Sequence, residues 1–158
     1  MLEQSSLAEP REKIMLEDFL RSATGNTGEE LALHRNAISW HIDAALKEID
    51  TEPRSLGRAF SNLVRNASRY ARSTIRVRAE PGVDSWMLIV EDDGVGIPKQ
   101  ERERIFEPFY RLDRSRDRAT GGYGLGLAIV KKIADRLGGT VRVDSSHLSP
   151  LLIPNKAS

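Results

Sequence analysis

Met87-Leu-Ile-Val-Glu-Asp-Asp-Gly-Val-Gly96 sets an apolar run directly ahead of an acidic, glycine-broken turn. Four consecutive apolar residues that end in such a turn read as a buried strand. Upstream, Ile75, Val77 and Ala79 alternate with Arg76 and Arg78, and Pro81-Gly-Val-Asp-Ser85 turns the chain between the two segments. The pair is a hairpin whose second strand is central in its sheet.

Working outward, the clearest amphipathic helix follows Pro53, a residue suited to a first helical turn, with Asp50-Thr51 offering an N-cap. Leu56, Phe60, Leu63, Ala67 and Tyr70 form its apolar stripe. A second amphipathic helix is expected over Leu125–Leu137, stopped by Gly138-Gly139, with a strand over Thr140–Asp144. Toward the N-terminus, Ile14, Met15, Phe19 and Leu20 recur at helical spacing within a predicted helix over 11–23, and Glu29–Asn36 reads as a short helix. Ile38, Trp40 and Ile42 alternate as a half-buried strand, with Leu46–Ile49 its expected partner. Residues 111–120 are too polar for core and read as a loop. Interleaved helices and hairpins predict an α+β fold, a two-layer α/β sandwich. The expected layout is a flexible lead-in over 1–10, one domain over 11–144 and an atypical tail over 145–158.

Composition narrows the function classes. At 158 residues, with 39% hydrophobic and 30% charged residues, the chain is long enough to bury an ordinary core. A net charge of +1 gives no global attraction to nucleic acid or anionic membrane. Cysteine is absent, which excludes disulfides and thiolate metal sites. No apolar run approaches the ~20 residues of a membrane-spanning helix, and the first residues lack signal-peptide character, so a cytoplasmic location is expected.

Four segments carry candidate chemistry. Asn62 and Asn66, four residues apart, project from one helix face together with Tyr70. An amide oxygen is a hard ligand suited to Mg²⁺; Arg69 is in range of a phosphate and Tyr70 of a base. The bland alternative is a pair of solvated surface asparagines. Asp92, at a strand end, is placed to accept from the exocyclic amine of adenine, and Gly94 and Gly96 admit close backbone approach. The alternative is a plain Asp-Gly turn; a calcium loop lacks its ligand spacing here. Gly121-Gly-Tyr-Gly-Leu-Gly-Leu127 opens a helix, where free N–H groups and glycines make an anion cradle. It is neither a Walker loop nor a dinucleotide fingerprint. Phe106-Glu-Pro-Phe109 and the run Arg111, Arg114, Arg116 and Arg118 form a hinge and a cover for a triphosphate, against the alternative of a self-paired solvated loop. His34, His41 and His147 are scattered, and no pair shares a helix face for zinc.

In order and spacing, Asn62–Tyr70, Asp92–Gly96, Phe106–Phe109 and Gly122–Leu127 resemble the N, G1, F and G2 boxes of bacterial sensor histidine kinases. These belong to the wider gyrase, Hsp90, histidine kinase and MutL ATPase superfamily. The resemblance covers about Asp50–Asp144. It implies a Bergerat ATP-binding fold, with helices on one face of a mixed, mostly antiparallel sheet and ATP beneath a mobile lid. It implies that Asn66 ligates Mg²⁺, that Asp92 holds the adenine amine, and that Gly94, Gly96 and Ile97 line the base pocket. Arg69 and Tyr70 then contact phosphate and nucleoside, and Gly122, Gly124 and Gly126 cradle the phosphates. Asn62, Phe109, Arg116, Arg118 and Leu125 complete the expected ATP contacts.

Hydrolytic members of the superfamily, and its serine-kinase anti-sigma factors, carry a glutamate base four residues before the metal asparagine. Here that position is Asn62, and an amide takes no proton at neutral pH. The resemblance therefore implies a protein-histidine kinase whose phosphoacceptor lies elsewhere. None of His34, His41 and His147 precedes an acidic residue as the family's acceptor does, so no catalytic residue is expected in the chain. The implied partners are the receptor's own histidine-bearing dimerisation domain and a response regulator. The chain itself is expected as a monomeric, cytoplasmic part of an inner-membrane receptor. Two other readings stay open: a degenerate module binding nucleotide or a partner without kinase activity, and a stand-alone ATPase or anti-sigma serine kinase. Tyr123 departs from the usual small residue of the glycine box. Pro150 and Pro154 disfavour a central strand, so the tail is expected to leave the sheet one strand short.

Overall fold

The computed structural model describes residues 9–23, 39–94, 96–110, 126–143 and 148–154. Strand β1 (Glu12–Met15) leads into helix α1 (16–23), and β2 (Ser39–Ala44) is followed by β3 (Glu48–Thr51). Helix α2 (Pro53–Tyr70) precedes the hairpin β4 (Thr74–Pro81) and β5 (Ser85–Asp92). Two short 3₁₀ turns, Lys99–Glu101 and Arg104–Phe106, precede helix α3 (Gly126–Arg136), β6 (Thr140–Val141) and β7 (Leu148–Pro154).

The main sheet runs β2-β4-β5-β7-β6. β2 is parallel to β4 and every other pair is antiparallel. The alternation expected of the hairpin is present: Ile75, Val77 and Ala79 on β4 and Trp86, Leu88 and Val90 on β5 are buried. Against them α2 buries Leu56, Ala59, Phe60, Leu63, Val64 and Ala67, and α3 buries Leu127, Val130, Ile133 and Ala134. This is the α+β architecture read from the sequence, with helices covering one face of a mostly antiparallel sheet. Gly138, at φ 81°, takes the left-handed conformation that ends α3, and Gly139 donates its N–H to Ala134 O at 2.8 Å.

Several expectations are corrected. The segment predicted as one helix over 11–23 begins as β1, because Glu12–Met15 pairs with β3 in a separate two-stranded sheet. That pairing also removes Leu46–Ile49 as the partner of β2, whose neighbour is β4. The strand expected over 140–144 is shorter: β6 ends at Val141, Arg142 and Val143 are not strand, and Asp144 lies outside the described residues. The helix expected over 29–36 and the loop over 111–120 lie outside the described residues.

The start of α2 is capped from a distance. Glu52 occupies the N-cap position without a side-chain cap bond, and Thr51 is buried in β3, so neither Asp50 nor Thr51 does the capping. Instead the Glu9 carboxylate accepts from the N–H of Arg54 at 2.9 Å and of Ser55 at 2.8 Å. A carboxylate at free helix N–H groups is stabilised by both hydrogen bonds and the helix dipole. Arg136, in the last turn of α3, donates to Glu52 at 2.7 Å and also to Ser55 Oγ. The end of the expected lead-in is thus tied to both helices.

The largest correction concerns the tail. Leu148–Pro154 pairs with β5 from Glu91 to Ser85 and with β6 at Leu151 and Leu152. Since β6 reaches only those two residues, Pro150 and Pro154 sit where β7 has no β6 partner, the setting that tolerates a missing N–H. Leu151 and Ile153 are buried, so this strand completes the core. Leu151→Ala is expected to cost about 2–5 kcal/mol, read by denaturant unfolding. An unchanged midpoint would place the tail outside the sheet.

Candidate functional site

Helix α2 presents three polar positions beside its buried stripe. Asn62, Asn66 and Tyr70 follow one another at four-residue intervals and are all half-buried. Asn62 donates its Nδ2 to Arg58 O at 2.9 Å, which fixes the amide on its own helix. Its Oδ1 faces the first residue of α3: a Cβ on Gly126 would stand 3.1 Å from it. Glycine at 126 thus lets the opening turn of α3 approach the polar side of α2. One turn further along, the Asn66 amide has no hydrogen-bond partner among the described residues.

The turn after β5 meets the other end of the same helix. Asp92 Oδ1 accepts from the Gly94 N–H at 2.7 Å, bending the chain sharply off the strand. Gly94 is buried, and a Cβ there would lie 2.0 Å from Tyr70 O and 2.8 Å from Asp92 Oδ1. Only glycine fits between the helix carbonyl and the strand-end carboxylate. Gly96 takes φ 82°, again a conformation that favours glycine. Ile97 packs against the core and its carbonyl accepts from Arg102 Nε at 2.9 Å.

The structure therefore links Asn62 with Gly126, and Tyr70 with Gly94 and Asp92, while Asn66 stands between the two contacts on α2. Arg69, next to Tyr70, is half-buried. Phe109 is 71% exposed with φ 68°, and Arg104 lies over the neighbouring Tyr110 ring at 5.1 Å. Arg116, Arg118, Gly122, Gly124 and Leu125, with Tyr123, lie outside the described residues. Among the described residues no group of three or more His, Asp or Glu gathers to hold a metal. No described helix is long and apolar enough to cross a membrane.

Asp93 is the residue that sequence reasoning passed over. Its carboxylate accepts from the N–H of Arg72 at 2.7 Å, the N–H of Ser73 at 3.0 Å and Ser73 Oγ at 2.8 Å. The Ser73 N–H has the largest effect; desolvation opposes it, and the Ser73 hydroxyl with the N–H groups of Thr74 and Arg72 adds to it, so this carboxyl is held well below the usual range. The available signal was faint: two adjacent acids at a strand end, of which only one can face the turn.

Residues 51–150 match the family of histidine kinase-, DNA gyrase B-, and HSP90-like ATPases. The sensor protein RstB of Escherichia coli (strain K12) is 44% identical over 142 residues, 90% of this chain and 31% of RstB. The signal transduction histidine-protein kinase/phosphatase MprB of Mycolicibacterium smegmatis is 36% identical over 121 residues, 75% of this chain and 24% of that protein. The chain thus spans less than a third of the length of these curated relatives. Among solved structures, the mycobacterial sensor histidine kinase MprB superposes with a TM-score of 0.74 at 26% identity, covering 94% of this chain and 100% of that one. The Acinetobacter baumannii histidine kinase AdeS superposes with a TM-score of 0.77 at 20% identity, covering 99% and 73%, a likeness of fold.

Two outcomes test the geometry. Gly94→Ala is expected to destabilise the chain by about 1–3 kcal/mol, since a backbone carbonyl must move; an unchanged thermal midpoint would separate Gly94 from Tyr70. The lowered Asp93 carboxyl contributes stability that is full above about pH 4 and lost as pH falls below it. The difference in unfolding midpoint between the unaltered chain and Asp93→Asn should therefore be largest at pH 7 and shrink steadily as pH falls below about 4, without closing by about pH 3. A gap that widens in acid would contradict the hydrogen-bond assignment.

Proposed function

The chain belongs to the histidine kinase-, DNA gyrase B- and HSP90-like ATPase family, as a catalytic ATP-binding domain of the sensor histidine kinase type, and from that premise we propose how it works. It binds Mg²⁺-ATP in the angle between α2, the Asp92 turn and the start of α3. It then delivers the γ-phosphate to a histidine on a separate dimerisation domain, from which a response regulator takes it. The observation that carries this reading is the double close approach, Gly126 to Asn62 and Gly94 to Tyr70. Those approaches set the Asp92 turn and α3 along the side of α2 that carries Asn66, which supports the reading.

Within this reading Asp92 accepts from the adenine amine, beside Gly94, Gly96 and Ile97. Its Oδ1 accepts from the Gly94 N–H, which orients the carboxylate at the end of β5. Tyr70 and Arg69 contact nucleoside and phosphate. The N-terminal end of α3 would offer backbone N–H groups to phosphate oxygens, with Gly122, Gly124 and Leu125 preceding Gly126 in the sequence. Phe109, Arg116 and Arg118 belong to the cover.

Asn66 fits Mg²⁺: its amide oxygen is a hard donor, half-buried and without a partner among the described residues. The bound ion would supply charge neutralisation between the phosphate oxygens. Asn62 does different work. Its amide is spent on Arg58 O and on the approach of Gly126, and it cannot take a proton from water. The site is thereby equipped to hold a phosphoryl donor while an external histidine supplies the nucleophile, which favours kinase over ATPase chemistry. A cytoplasmic location belongs to the same proposal, since that is where ATP and a response regulator would be met.

Incubation with labelled ATP and a separately supplied histidine domain tests the reading. Label is expected on the supplied domain and not on this chain. Asn66→Asp and Asp92→Ala should each lower transfer by about 10²-fold or more while the circular dichroism spectrum is kept. Unchanged transfer by either variant would remove that residue from its role.

A further inference from the structure

Asp93 has no part in the chemistry just described, yet its carboxylate is fully occupied. Three donors converge on it, the N–H groups of Arg72 and Ser73 and the Ser73 hydroxyl, and all belong to the exit from α2. The Asp93 N–H in turn donates to Thr74 O at 3.3 Å. One residue on, Gly94 rests against Tyr70 O; one residue back, Asp92 carries the carboxylate proposed to read the base. Two short stretches, 70–74 and 92–94, are thus joined at successive residues.

We propose that Asp93 is a positioning residue, a latch that fixes Asp92 against the Asn66–Tyr70 end of α2 so that both face one bound nucleotide. The inference rests on the nucleotide reading above. Asp92 sits at the end of β5, whereas Asn66 and Tyr70 sit on a helix that packs its buried stripe on the sheet. Nothing in the hydrophobic contacts specifies their relative placement to the fraction of an ångström that a base contact demands. Directional hydrogen bonds do. A carboxylate is the side chain that accepts from all three donors at once. With its oxygens turned toward Arg72 and Ser73, Asp93 is a support for the site rather than a ligand in it.

Calorimetric titrations of Mg²⁺-ATP and of adenosine into the chain and four variants test the latch. Asp93→Ala removes every acceptor and should weaken both ligands by about tenfold, with the same factor for each because the base end is what moves. Asp93→Asn keeps an oxygen for the Arg72 and Ser73 N–H groups and should stay within about threefold of the unaltered chain. Ser73→Ala removes one donor and should fall between them. If Asp93→Ala does not fold, Asp93→Glu decides, since it keeps the charge and displaces the acceptor by one methylene. Weakening there supports the latch and unaltered affinity overturns it. A folded Asp93→Ala that binds both ligands as the unaltered chain does, or an Asp93→Asn as weak as Asp93→Ala, also overturns it. Failure of the unaltered chain to bind Mg²⁺-ATP would defeat the nucleotide reading itself, a result distinct from loss of the latch alone.

Discussion

Helix α2 lies on the sheet with Leu56, Phe60, Leu63 and Ala67 buried, and that burial dictates where its polar side can point. At roughly 1.5–3 kcal/mol per large apolar side chain removed from water, rolling the helix about its axis would forfeit more than any polar contact restores. Asn62, Asn66 and Tyr70 are therefore held at the margin of the core, facing the start of α3 and the end of β5. The site's polar groups owe their direction to apolar ones.

Glycine then sets how closely the neighbouring elements can approach. At Gly94 a side chain would collide with the backbone of α2, and at Gly126 it would press on Asn62. In both places the missing Cβ is used by the protein itself, which packs one segment of the site against another. Glycines in such loops are usually explained by room for a ligand; here two of them serve contact between the walls. An amide at Asn62 has a matching structural sense, because its Nδ2 donates to Arg58 O while its Oδ1 faces the place where a side chain on Gly126 would stand.

Much of this was legible before any coordinates. The β4–β5 hairpin, both long helices and the glycine stop after α3 follow from periodicity and turn chemistry, which act over a few residues. What escaped was long-range. The pairing of β1 with β3 joins segments more than thirty residues apart, each too short and too polar to announce a partner. Glu9 caps a helix 45 residues away, and Asp93 binds donors 20 residues earlier in the chain. No local pattern encodes such bonds. The tail misled for a different reason: proline is a poor central-strand residue, but Pro150 and Pro154 fall just beyond the reach of β6, where its defect is tolerated. Of the candidate site, the structure sets Gly126 against Asn62 and Gly94 against Tyr70 and Asp92, because each lies at the boundary of an element that the core fixes.

The convergence of those elements on a nucleotide is tested most directly by paramagnetic broadening in solution. With Mn²⁺ replacing Mg²⁺ and ATP added, the amide signals of Asn66, Gly94 and Gly126 should broaden together, while those of β1 and the β4–β5 turn stay sharp. Broadening at only one of the three, or at none of them, would contradict a shared site.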